Sequence, residues 1–173
     1  MECRTLDLTL ISAKDLKDIS LFAFGKMDVY AVVSISGTVR KLRTPLNKCG
    51  GPNPTWNSPM RFMVYVGGAM DKCLVIKIKA IGMFTNWKLG QVKVPIKELM
   101  ESVKSDDGSP MHVVSYRLRR PSGKTTKGEV CCSYKFGEKF MFNGLNHPPP
   151  YVGYPPQQHP TDSESDSYMQ GRT

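Results

Sequence analysis

The 173-residue chain predicts an all-β fold: an eight-stranded antiparallel β-sandwich with one short helix and a disordered C-terminal tail. Three observations predict it. Eight short segments within residues 1–139 alternate or are rich in β-branched and aromatic residues, and turn residues separate them. One stretch alone has the composition of a helix. Beyond residue 140 the chain turns to proline, serine and acids.

The first segment, TLDLTLIS (5–12), puts Leu6, Leu8 and Leu10 on one face by strict alternation. DVYAVVSIS (28–36) is β-branched and aromatic, and TVRKLRT (38–44) follows after only Gly37, a hairpin signal. MRFMVYV (60–66) comes after a Gly/Pro/Asn-rich turn. CLVIKIKA (73–80) sets Leu74, Ile76, Ile78 and Ala80 on one face and Lys77 and Lys79 on the other. LGQVKVP (89–95), HVVSYRLR (112–119) and GEVCCSYKF (128–136) complete the set. IKELMESV (96–103), opened by Pro95, is the helix.

The totals bound the function. The five cysteines form no framework spacing and no CxxC, so structural thiols in a reducing compartment are expected. No apolar run approaches the ~20 residues of a membrane span, and the N-terminus has no signal-peptide character. A cytosolic chain is expected. Residues 1–139 carry 23 Lys+Arg against 12 Asp+Glu; residues 140–173 carry one against three. A basic globule therefore carries a mildly acidic tail. Such a globule suits polyanionic partners.

Three motifs point to one family. GKMDVYAVV (25–33), the Asn53-Pro54-x-Trp56-Asn57 turn and LVIKIKAIGMFTNWKLGQVKVPIKEL (74–99) occur in order along residues 1–139. This succession resembles the C2 domains, calcium- and lipid-binding β-sandwich modules. The pattern followed by a Pro/Tyr/Gly tail is similar to the plant cold- and defence-associated C2 proteins with proline-rich C-termini. The resemblance implies a peripheral module of stress or defence signalling or of trafficking.

It also implies a calcium site, and there the residues depart from the family. Calcium needs 6–8 oxygen ligands, several of them anionic. The first loop offers Asp28 and either Asp18 or Asp15. The third loop, Ile81 to Lys88, offers no acid. An incomplete site at Asp18 and Asp28 is expected, with no cofactor and weak or absent calcium dependence. Structural roles, such as capping loop amides or pairing with Lys88, are the alternative for both aspartates.

Grease and positive charge stand where the acids would be. Loops 19–27 and 82–88 are expected side by side at one pole, carrying Phe22, Phe24, Phe84 and Trp87 beside Lys26 and Lys88. These side chains either insert into a bilayer or pack on one another. A basic face is expected from Lys77, Lys79, Arg40, Lys41 and Arg43, resembling the lysine-rich patch with which many C2 domains take phosphoinositide head groups; a merely solvated face is the alternative. Arg117, Arg119 and Arg120 form a further run at a strand end.

Pro148, Pro149 and Tyr151 fit the Pro-Pro-x-Tyr form accepted by WW domains. TDSESDS (161–167) is a candidate phosphorylation cluster. Nucleic acid is not an expected partner, because no RNA-binding aromatic motif, helix-turn-helix or zinc spacing occurs. Neither does a catalytic constellation: two of the three histidines, His147 and His159, lie in the tail. The expectation is a non-catalytic adaptor on anionic phospholipid at the cytoplasmic face of a plasma membrane or endomembrane. The alternative is a protein-interaction module that uses the basic face and tail without touching lipid.

Overall fold

The computed structural model describes residues 1–19, 26–69, 71–82, 84–103 and 111–143. Among them, eight strands and one α-helix form in the expected order: β1 (Glu2–Lys14), β2 (Val29–Ile35), β3 (Lys41–Arg43), β4 (Thr55–Tyr65), β5 (Cys73–Ala80), β6 (Trp87–Pro95), α1 (Ile96–Ser102), β7 (His112–Arg119) and β8 (Thr125–Met141). A 3-10 turn, Val66–Gly68, follows β4. Each of these strand pairings is antiparallel.

The strands run β3-β2-β5-β6-β7-β8-β1-β4. Among the described residues one pair alone, Gln91 with Arg119, joins β6 to β7. The ladder is therefore two four-stranded sheets, β3-β2-β5-β6 and β7-β8-β1-β4, held together by their side chains. Leu6, Leu8 and Leu10 of β1 share one buried core with Val29, Ala31 and Val33 of β2 and with Leu74, Ile76 and Ile78 of β5. Helix α1 adds Ile96 and Leu99 to it. The alternation read from the sequence is thus the alternation of the core.

Several boundaries differ, and β1 lengthens from the expected 5–12 to Glu2–Lys14. β3 keeps three residues of the seven expected. β4 begins at Thr55, inside the Asn-Pro-x-Trp-Asn turn, and β8 runs on to Met141, where Phe140 still pairs with Cys3. β6 begins at Trp87, so Trp87 and Lys88 are strand residues and the loop shrinks to 81–86. An extra residue explains the last change. Ile78 pairs with Gly90 and Lys79 with Lys88, which leaves Leu89 bulged. The bulge buries Leu89 and keeps Lys88 opposite Lys79. Gly90 sits beneath β7, where an added Cβ would stand 2.9 Å from that of Leu118.

The Asn-Pro-x-Trp-Asn turn acts as a clip at one pole. The Asn53 side chain accepts the Asp15 amide at 3.0 Å, and the Trp56 indole donates to the Val29 carbonyl at 3.2 Å, tying β4 to the other sheet. Asn57 takes φ +46°, the left-handed conformation that Asn tolerates, where the β1–β4 register shifts. The opposite pole holds the 3-10 turn, α1 and both described ends of the chain, where the Phe142 amide donates to the Met1 carbonyl at 2.8 Å. The expected tail beyond Asn143 lies outside the described residues.

This packing sets two expectations. Ile76→Ala opens a cavity between fully buried neighbours and is expected to cost about 2–5 kcal/mol, read as a lower urea midpoint with unchanged slope. Burial also pushes the Cys132 thiol up to about 12 and raises the Tyr116 and Tyr134 phenols. Each group holds its proton more tightly folded than unfolded, so its contribution is full below its unfolded value and is lost above it. Lys79, lowered by burial, opposes the trend without reversing three raised groups. Stability is expected to fall from about pH 9 upward. Urea midpoints that stay level between about pH 8 and 11 would contradict the burial of these groups.

Candidate functional site

Register places the cations. In an antiparallel pair, directly opposed residues share a face. Across β2 and β5, Tyr30 opposes Lys79, Val32 opposes Lys77, and Ser34 opposes Val75. On one side β3 adds Arg43 opposite Val32 and Lys41 opposite Ser34. On the other, β6 adds Lys88 opposite Lys79, Gln91 opposite Lys77, and Lys93 opposite Val75. The outer face of this sheet therefore gathers Lys41, Arg43, Lys77, Lys79, Lys88 and Lys93. No acidic residue stands in these rows, and none of the six enters an ion pair among the described residues.

The other sheet handles charge differently. Asp7 pairs with Arg61, and Glu129 takes both Lys14 at 3.0 Å and Arg117 at 3.1 Å. Glu2 meets Lys139 at 3.3 Å. Arg117, one of the arginine run at the strand end, thus shares an acid where it stands. Acids stand among the cations on one face of the sandwich and are absent from the paired rows of the other.

The imbalance is visible in Lys79. Its ammonium is held below the usual lysine range, first by burial and then by repulsion from Lys88, Lys77, Arg43 and Lys41. Arg43 lies over Tyr30, its guanidinium carbon 3.7 Å from the ring centre, and Tyr30 is buried although it faces outward. Lys77, Lys88, Gly90, Gln91 and Pro121 line a shallow depression at the β6 side of the face. Lys93 was not singled out in the sequence. Its signal was there, because Val92 and Val94 flank it, but only the pairing of β6 with β5 brings it beside Lys77. Arg40 precedes β3 in the exposed turn and stands outside the paired rows.

The pole above this face is the apolar one. Phe84 is 94% exposed at the tip of the 81–86 loop, and Trp87 is 41% exposed at the start of β6. The indole lies over Gly82, where a Cβ would come within 2.6 Å of its Cδ1. Packing inward is therefore not the fate of Phe84. The neighbouring first loop approaches through Asp28, whose carbonyl accepts the Ile81 amide at 2.9 Å. Lys26 is exposed there; Phe22 and Phe24 lie outside the described residues, as do Pro148, Pro149 and Tyr151.

Asp28 is employed locally. Asp28 Oδ1 accepts the Cys49 amide at 2.7 Å, fastening a residue at φ +53°. Asp18 is exposed. Among the described residues no three His, Cys, Asp or Glu side chains come together in a way that could hold a metal ion. No helix among them is long and apolar enough to cross a membrane.

Known proteins share this architecture. The C2 domain family model matches residues 4–112. The chain is 41% identical over 152 residues to Protein SRC2 homolog of Arabidopsis thaliana, covering 86% of this chain and 45% of that protein. It is 40% identical over 168 residues to Protein SRC2 of Glycine max, covering 90% of this chain and 56% of that one. The chain thus spans about half the length of these relatives. Among solved structures, a C2 domain of plant Extended Synaptotagmin 1 superposes with a TM-score of 0.64 at 17% identity, covering 80% of this chain and 96% of that domain. Motif order, paired register and these matches agree: the chain belongs to the C2 domain family and is related to the plant SRC2 proteins.

Proposed function

We propose that this C2 domain is a non-catalytic adaptor that docks on anionic phospholipid with little or no need for calcium. The carrying observation is the uncompensated outer face: six cations in register with no acid among them, beside a sheet whose cations meet acids. Lys88 follows Trp87 directly, so the charged face runs up to the apolar pole. Two kinds of energy then add at one contact. A large apolar side chain withdrawn from water contributes ~1.5–3 kcal/mol. Each cation near an anionic leaflet contributes ~1 kcal/mol. Phe84, Trp87 and the cations together suit a reversible anchor. The depression beside Lys77 and Lys88 is where a phosphate-bearing head group would meet donors from two strands.

The low calcium dependence rests on chemistry at the pole. Loop 81–86 carries no acid, and Asp28 already accepts a backbone amide. In this reading the protein works from the cytoplasm, on the plasma membrane or endomembranes. The Pro148-Pro149-x-Tyr151 segment is a candidate for WW-type partners. The likeness to plant cold- and defence-associated proteins suggests stress or defence signalling.

Vesicle sedimentation tests the proposal. Binding is expected to rise with phosphatidylserine, to fall with salt and to ignore chelator. Lys77→Glu/Lys79→Glu is expected to abolish it. Phe84→Ala is expected to weaken it by about tenfold or more, with the salt dependence unchanged. Wild-type protein that stays in the supernatant at every lipid composition would favour the protein-interaction reading instead. A second measurement isolates the charge. Lys79→Met removes a repelled cation and keeps its stem. Stability is expected to hold or rise by a few tenths of a kcal/mol, roughly, and the gain to shrink in high salt. A large loss of stability would show that Lys79 is there for the fold.

A further inference from the structure

The uncompensated face is available to anions of this chain as well as to lipid. From residue 140 to residue 171 the sequence has no Lys or Arg, and Asp162, Glu164 and Asp166 alternate there with Ser163, Ser165 and Ser167. That spacing matters. In an extended segment residues i, i+2 and i+4 fall on one side, about 6.5–7 Å apart. Cations on alternate positions of β5 and β3, Lys77 with Lys79 and Lys41 with Arg43, repeat at the same interval.

The geometry of departure also fits. The described chain ends at Asn143, on the pole that carries α1 and the 3-10 turn. Lys41 and Lys93 stand at that end of the basic face, because both share a row with Val75 near the start of β5. At ~3.1 Å per residue, the interval expected of a proline-rich stretch, the roughly 19 residues from Gly144 to Asp162 reach about 60 Å. β5 is only about 26 Å long at ~3.3 Å per residue. Reach is therefore no obstacle. Tethering makes the encounter intramolecular, with an effective concentration on the order of millimolar.

We propose that the segment Thr161–Ser167 binds the outer basic face in cis, its carboxylates occupying the positions an anionic head group would take. The proposal rests on the reading of this face as an anion-binding surface. It names the first competitor for that surface. An occupant arriving from the α1 pole covers Lys41, Lys93 and Lys77 before it reaches Lys88. It leaves Phe84 and Trp87 uncovered. The tail then opposes the electrostatic part of docking and leaves the apolar part intact. Phosphorylation of Ser163 or Ser165 adds charge to the competitor and strengthens it.

The test uses the full chain without lipid. A carbodiimide joins a carboxylate to an amine only where the two touch, and peptide mass spectrometry locates the bond. Links from Asp162, Glu164 or Asp166 to Lys41, Lys77, Lys79, Lys88 or Lys93 are expected. They should form within one molecule, as an equal mixture of light and heavy isotope-labelled protein reveals, and should vanish at high salt. Links that form only between molecules, go to lysines off this face such as Lys124 and Lys139, or do not form would overturn the proposal. The full-length Asp162→Asn/Glu164→Gln/Asp166→Asn variant is then compared on phosphatidylserine vesicles, where its affinity is expected to rise about threefold or more. Unchanged affinity in a wild type that does bind vesicles would also overturn it. If neither protein binds vesicles, the lipid reading fails, and the cross-links still decide whether the tail occupies the face.

Discussion

The burial of Leu74, Ile76, Ile78 and Ala80 is the constraint on which the rest of the molecule depends. A strand has a two-residue period, so sinking these four side chains into the core forces Lys77 and Lys79 to the other side. β2 and β6 pair with β5 on either flank and obey the same rule. Their outward residues must line up with its lysines, whatever the charges prefer. A slip of one residue would relieve the repulsion and place the whole apolar set in water. The magnitudes decide the contest. Each large buried side chain is worth ~1.5–3 kcal/mol, whereas like charges at a solvated surface oppose each other by roughly a few tenths to 1 kcal/mol. The core wins, and the cations are held in rows.

The same economy of fastening explains the poles. Among the described residues the two sheets share a single ladder pair, Gln91 with Arg119, so backbone hydrogen bonds do little to register one against the other. Side chains carry that task. Trp56 reaches from β4 to the Val29 carbonyl, and the shared core holds the two sheets face to face. Asp28 fastens Cys49 into the same corner. A family likeness that would read Asp28 as a metal ligand meets here a carboxylate with a structural partner. The aspartate closes the base of the pole, and the exposed tip belongs to Phe84.

Much of this was legible before any coordinates. Alternation at Leu6/Leu8/Leu10 and at Leu74/Ile76/Ile78 named the buried face, because core burial is what alternation encodes. The eight strands and the helix at Ile96 followed in order. What escaped was non-local. The extent of β6 depends on a bulge at Leu89, and no local propensity announces that Trp87 and Lys88 pair with Ala80 and Lys79. Lys93 joins the basic face only through a partner strand eighteen residues earlier in the chain, at Val75. The pairing of Arg117 with Glu129 is equally a fact of register between β7 and β8. Composition could count the cations. Register alone could tell which of them had an acid nearby.

That difference bears on why a sandwich would keep such a face. Glu129 shows that this fold can seat an acid between two cations, and it does so on the neighbouring sheet. The positions opposite Lys77 and Lys79 hold Val32, Gln91, Tyr30 and Lys88 instead. Gln91 is the telling one. A carboxylate there would sit against Lys77 and reach toward Lys88 across the depression. The neutral amide has the same length and leaves the field intact. A face built in this way is destabilised by its own repulsion until an external anion arrives. On the proposed reading that repulsion is binding energy held in reserve, which an anion with the right spacing, from a membrane or from the chain itself, would release.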